Sequence, residues 1–151
     1  MISVLITAAA DPEPLARLLA SLVPAAADGL VREVAVIGAA GPSLELADDA
    51  GARLFAAGAF AEAVAGARGP WIAGLPLAAV LTSDWMSLVS ARLALGDAAA
   101  VRLVARGFSL GGGPRGWLAP KRLLPSAGVA EQDLHRLARR SGQRLAVFER
   151  R

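Results

Sequence analysis

The sequence has no cysteine, no tyrosine and a single histidine, His135. Without cysteine, a disulfide framework and a thiolate metal site are both excluded. One histidine cannot build a His-rich metal centre. No Ser-His-Asp set is legible either, because His135 directly follows Leu134 in a helical pattern and is expected to be exposed. Charged residues are only 19% and aromatics 5% of the 151-residue chain, against 55% hydrophobic residues. That balance excludes a disordered tail and supplies material for one sizeable core. Lysine is almost missing: Lys121 is the only one, and every other basic residue is arginine. Long apolar runs are absent as well. The uncharged stretch 69–83 is too short to span a bilayer and is broken by Pro70, Gly74 and Pro76. The start, MISVLITAAADPEP, lacks the basic n-region of a signal peptide, and its apolar run ends at Asp11 and Pro12. A soluble, cytoplasmic protein is the expectation.

The charge that remains is unevenly placed. Residues 1–100 hold ten acids and five arginines, whereas residues 101–151 hold three acids and eleven bases. A basic face near the C-terminal third can meet phosphates, an anionic membrane surface as a peripheral contact, or only water. Nucleic acid is not an expected partner, because no basic patch is interleaved with exposed aromatics.

Strand and helix signals alternate along the chain. ISVLIT (2–7) is a β-branched run suited to a buried strand. Asp11 then reads as an N-cap, with Pro12 in the first turn and leucines 15, 18, 19 and 22 at helical spacing; Pro24 is expected to end that helix. A second strand is expected over 33–37, a short helix capped by Ser43, and a brief strand over 53–55. Residues 60–68 read as helix and WIAGL (71–75) as a uniformly apolar central strand. Thr82 or Ser83 is expected to cap a helix reaching Leu95. A strand over 99–105 follows, then a Gly-rich loop (107–116), then a segment from Trp117 that turns helical after Pro120. Residues 131–140 form an amphipathic helix, and 144–148 a last strand. This order predicts a single α/β domain over 1–151, with a mostly parallel sheet and helices on both faces. Ligands of such sheets bind at the carboxyl ends of the strands. Here those ends are Thr7–Asp11, Gly38–Gly41 and Leu75–Ala79.

Several segments also resemble family 2 glycosyltransferases in spacing and apolar pattern. They are ISVLITAAADPEPLARLLASL, VREVAVIGAAGPS, LADDAGARLF, FAEAVAGARGPWIAGLPLAAVLTSDWM and AEQDLHRLARRSGQRLAV, and together they cover essentially the whole chain. The resemblance implies a GT-A-like fold (nucleotide-diphospho-sugar transferase-like). It implies a sugar nucleotide held by Thr7, Ala8, Ala9, Asp11, Gly38, Ala39, Pro76 and Ala78. It also places Glu131 at the catalytic base and Asp133 at the second acid of that motif. Arg115 or Arg122 would stand near the diphosphate. The departures are chemical. Ala8 and Ala9 replace the aromatic-Asn turn, Gly38 or Ala39 replaces a base- or ribose-binding Asp, and Pro76-Leu77-Ala78 replaces the metal-binding Asp-x-Asp. Those side chains offer no oxygen to a hard cation, so no metal ligands are assigned and no divalent-metal cofactor is expected.

Two functions follow from the resemblance. One is a glycosyltransferase-like protein of bacterial cell-envelope or polysaccharide metabolism, with weak or no metal-dependent activity. The other is an inactive pseudoenzyme serving as a partner-binding or regulatory module, for which a homodimer or another protein partner is expected. Glu131 and Asp133 have a plainer reading as first-turn acids favouring the helix dipole. Gly111-Gly112-Gly113-Pro114-Arg115 reads as a surface hairpin or as a lid. Trp85 and Trp117 read as core residues or as an acceptor-sugar platform. Gly38 and Gly41 in VAVIGAAGPS lack the spacing of a dinucleotide fingerprint, and the Gly-rich loop lacks the Lys-Ser/Thr of a P-loop.

Overall fold

The computed structural model describes residues 1–96, 99–107, 113–125 and 128–149. The middle of the Gly-rich hairpin, Gly111 and Gly112, therefore lies outside the described residues. The chain runs β1 (Ile2–Thr7), α1 (Pro12–Ala27), β2 (Val31–Ile37), α2 (Pro42–Asp49), β3 (Arg53–Phe55), α3 (Phe60–Gly66) and β4 (Trp71–Leu75). It continues with α4 (Trp85–Ala94), β5 (Val101–Ala105), β6 (Gly116–Pro120), a 3-10 turn (Lys121–Leu123), α5 (Glu131–Arg140) and β7 (Arg144–Phe148).

The seven strands form one sheet in the order β3-β2-β1-β4-β6-β5-β7. Strand β6 runs antiparallel to β4 and β5, and every other pairing is parallel. Alternation along β1 explains its central place. Ile2, Val4 and Ile6 pack on one face with Leu15, Leu18 and Leu22 of α1, and with Val89 of α4. Leu5 turns to the other face, where Ala63 and Val64 of α3 meet Leu134 and Ala138 of α5. Helices thus cover both faces, as alternating strand and helix signals require.

Ser3, also in β1, is buried and donates to Glu33 Oε1 at 2.7 Å. Glu33 also accepts from Arg53 Nη1 and from the backbone N–H of Arg68. Burial pushes the Glu33 carboxyl up, but these hydrogen bonds and the Arg53 charge outweigh it and leave the pKa below its usual 4.5. This hub ties the amino ends of the strands together, away from their carboxyl ends.

The tightest packing is between β4 and β6. Gly74 sits opposite Trp117 in the antiparallel register. A Cβ on Gly74 would lie 2.2 Å from Trp117 Cε2 and Nε1, so the indole occupies the space of the missing side chain. Trp117 is fully buried and meets Phe60 edge-on at 6.3 Å. Trp85 is 6% exposed. Neither ring offers a face to a sugar in solvent, so the platform reading is replaced by the core reading.

Some boundaries differ from expectation. Pro24 does not end α1, which runs on to Ala27 and closes with Asp28 N–H donating to the Pro24 carbonyl. In the last turns a proline forfeits one backbone hydrogen bond, and burial of Ala25 holds the turn in place. Strand β2 starts at Val31, and α3 ends at Gly66, because Ala67 is extended. Ser43 does not cap α2. Gly41, at φ 53°, is the N-cap, and Ser43 is buried inside the first turn. Asp84, not Thr82 or Ser83, precedes the first residue of α4, which ends at Ala94.

Candidate functional site

The parallel strands end together on one edge, and the turns there converge. Ala8 N–H donates to the Ile37 carbonyl, and Gly38 N–H to the Phe55 carbonyl, both at 2.9 Å. The turns after β1, β2 and β3 are therefore stitched into one surface. Gly38 adopts φ +74°, a conformation in which a side chain is strained. The turn after β4 closes through Ala79 N–H to the Pro76 carbonyl at 2.9 Å. Thr7, Ala9, Asp11 and Ala78 are exposed, and Ala8, Gly38, Ala39 and Pro76 are half-buried.

A carboxylate reaches this edge from the other end of the chain. Thr7 Oγ1 donates to Glu131 Oε2 at 3.3 Å, across 124 residues. Glu131 is the first residue of α5, and its side chain is 41% exposed. The other acids have structural work. Asp133 Oδ2 accepts from Ala130 N–H at 3.2 Å, and its Oδ1 accepts from Arg136 at 3.3 Å. Asp11 Oδ1 caps α1 by accepting from Glu13 N–H at 3.1 Å. Asp84 is paired with Arg106.

His135 stands one turn along α5, with Nε2 4.0 Å from Glu131 Oε1. The sequence suggested exposure, but the ring is half-buried because Leu134 and Ala138 draw that side of α5 onto the sheet. Burial lowers its pKa from 6.5. The Arg139 and Arg115 charges push the same way, and Glu131 pulls against them. The unfolded chain therefore takes up this proton more readily than the folded one. Stability from His135 is present above pH 6.5 and is lost as pH falls through the lower folded value. Wild-type Tm is expected to drop more steeply below that pH than Tm of His135→Gln, as thermal melts across pH would record.

The two arginines considered for the diphosphate lie at opposite ends of the sheet. Arg115 precedes β6, which runs antiparallel, so it lies at the same edge as Thr7 and Pro76. Arg122 follows β6 and lies at the far edge, where Lys121 N–H donates to the Pro70 carbonyl at 2.8 Å. The direction of β6 removes Arg122 from the crevice. Arg115 lines a cavity together with Arg102, Arg139 and Arg144. Reasoning from sequence missed these last three as functional residues. Their available signal was one arginine inside the apolar VRLVA strand and the excess of bases after residue 100.

No family model matches this sequence, and no curated protein matches it. Solved structures do. Glucosyl-3-phosphoglycerate synthase from Mycobacterium tuberculosis, in complex with manganese, UDP and glucosyl-3-phosphoglycerate, superposes on 100% of this chain and 72% of its own, with TM-score 0.69 and 19% identity. The same synthase in another crystal structure gives TM-score 0.71 at 18% identity, with the same coverage of both chains. A mycobacterial protein gives TM-score 0.70 at 20% identity, covering 100% of this chain and 67% of its own. The fold is GT-A.

The synthase structures contain manganese or magnesium with UDP. A hard cation takes six or more oxygens, usually including one or two carboxylates. The segment after β4, where the resemblance puts Asp-x-Asp, supplies only Pro76, Leu77 and Ala78. Among the described residues no three His, Asp or Glu side chains converge to hold a metal. Residues 76–78 after β4 thus offer no carboxylate to a cation of that kind. No helix among the described residues is long and apolar enough to cross a membrane.

Proposed function

We propose that this chain is a glycosyltransferase-like protein that binds a sugar nucleotide at the carboxyl edge of its sheet and transfers the sugar without a divalent metal. The observation that carries this is the meeting of Glu131 with Thr7 at that edge. In this reading the turns at Thr7–Asp11, Gly38–Ala39 and Pro76–Ala78 cradle the nucleotide, mainly through backbone groups, since most of their side chains are apolar. Glu131 takes the proton of the acceptor hydroxyl as its oxygen bonds to the anomeric carbon. The bond from that carbon to the diphosphate breaks, and the nucleoside diphosphate leaves with the electron pair. Arg115, at the same edge, and backbone N–H groups stabilise the leaving charge. Asp133 supports the helix that carries Glu131 and takes no proton. The likeness to synthases that bind UDP and UDP-glucose supports the choice of donor class. The resemblance to family 2 enzymes supports a setting in bacterial cell-envelope or polysaccharide metabolism.

A second reading is favoured by the apolar edge itself. Ala8, Ala9, Ala39, Pro76, Leu77 and Ala78 suit a pseudoenzyme that keeps the fold and engages a second copy or another protein. Calorimetric titration with UDP and UDP-glucose, with and without manganese, separates the two. Binding that manganese leaves unchanged is expected of the transferase. Absence of binding under both conditions assigns the chain to the partner-binding reading.

A further inference from the structure

Arg102 is the one charged residue in β5, and its register partner on the parallel neighbour β7 is Arg144. Like charges set opposite each other across two strands destabilise a sheet. Two further arginines close on the same place: Arg139 from the last turn of α5 and Arg115 from the segment before β6. The four line a cavity of about 270 Å³. A neighbouring cavity of about 510 Å³ shares Arg102, Arg115 and Arg139 and adds Arg136, His135 and Gln132. Among the described residues no carboxylate lines either one.

Among the described residues, exposed Arg32, Arg122 and Arg140 take part in no ion pair, whereas five other arginines do. Arg17, Arg53, Arg68, Arg106 and Arg136 each have a carboxylate partner. Among the described residues, Arg102, Arg115, Arg139 and Arg144 take part in no ion pair. Arg102 Nε is moreover buried without a hydrogen-bond partner. Burial first, then the charges of Arg144, Arg139 and Arg115, depress the Arg102 pKa, although a guanidinium stays charged near neutrality. Four guanidiniums from four segments line one cavity with no described carboxylate to answer them, and a doubly charged anion is the chemistry that such an arrangement matches.

We infer that this basin is a binding site for a compact phosphate dianion, either free phosphate or the phosphomonoester of a larger molecule, with Arg102 at its floor and Arg115, Arg139 and Arg144 around it. Guanidinium forks match phosphate oxygens two at a time, and several of them suit a doubly charged group. The cavity is at the small end of ligand pockets, which suits the headgroup of such a molecule. The basin adjoins the Thr7–Glu131 contact, sharing Arg115 with the proposed transfer site and reaching His135 in the neighbouring cavity, but it rests on the arginine cluster and not on sugar transfer.

Titration with inorganic phosphate at constant ionic strength tests it. One phosphate per chain is expected, with affinity at least tenfold weaker in Arg102→Met and in Arg139→Gln. Arg17→Gln, far from the basin, is expected to bind as wild type. Arg102→Met without phosphate is expected to melt at a higher temperature, since a like charge is gone; if it does not fold, the exposed Arg139→Gln carries the test. Bound phosphate also opposes the fields of Arg139 and Arg115 on His135. The pKa of this sole histidine, followed by NMR, is expected to rise with phosphate. The source is resolved by sedimentation with vesicles of phosphatidylcholine and phosphatidic acid. Co-sedimentation lost in the same variants assigns the phosphate to a lipid headgroup, and its absence beside phosphate binding assigns it to a soluble molecule. Two results overturn the inference: no binding to phosphate or vesicles, and binding undiminished in both basin variants.

Discussion

Glu131→Gln is expected to slow sugar transfer by about 10²–10⁴-fold, the usual worth of a positioned general base. Glutamine keeps the size and the acceptor oxygen that Thr7 Oγ1 meets at 3.3 Å, but it cannot take a proton. The side chain is 41% exposed and anchors no core contact, so unfolding is expected to change by no more than about 0.5 kcal/mol. The loss should fall on kcat, with UDP affinity by calorimetry unchanged, because Glu131 touches the donor edge only through Thr7. Wild-type turnover in the variant would remove Glu131 as the base. It would leave the nucleotide site standing, since the calorimetry measures that separately.

The largest stability effect is expected from Gly74→Ala. The added methyl would sit 2.2 Å from two atoms of the Trp117 ring, and that ring is fully buried with no room to retreat. Overpacking of this kind costs about 3 kcal/mol, at the upper end of its usual range. For a chain of this length that lowers Tm by about 6–12 °C. Urea unfolding and thermal melts both read it. The same substitution in a Trp117→Leu background is expected to cost much less, because the clash is with the indole. Equal costs in the two backgrounds would place the strain in the β4 backbone instead.

Much of this architecture was legible in the residues. The β-branched run at Ile2–Thr7, the apolar WIAGL and the leucine spacing around Leu134 gave β1, β4 and α5 at their observed bounds. Such signals are local: each records which faces of a segment are buried. Pro24 misled because a helix end depends on what the following turn packs against, and Ala25 is buried. The direction of β6 was not written in GWLAP, since an antiparallel strand between β4 and β5 reads the same in either direction. Arg122 was misplaced for that reason. Family resemblance put Thr7 and Glu131 in one site separately, but their contact appears only in the fold, because no local pattern joins residues 124 apart. The basin of Arg102, Arg115, Arg139 and Arg144 was visible only as an excess of charge. Its four members come from four segments that the topology alone brings together.

The central position of β1 bears on how the protein is made. Its two hydrogen-bonding edges are covered by β2 and by β4, which pairs Ile6 with Leu75. At ordinary translation speeds the 33 residues between Ile37 and Trp71 take about 2–7 s to synthesise. For that interval the nascent chain carries an apolar, half-paired strand, ready to join the wrong neighbour. Slower translation ahead of Trp71 would lengthen that vulnerable period, and a holdase bound to Ile2–Thr7 would shield it.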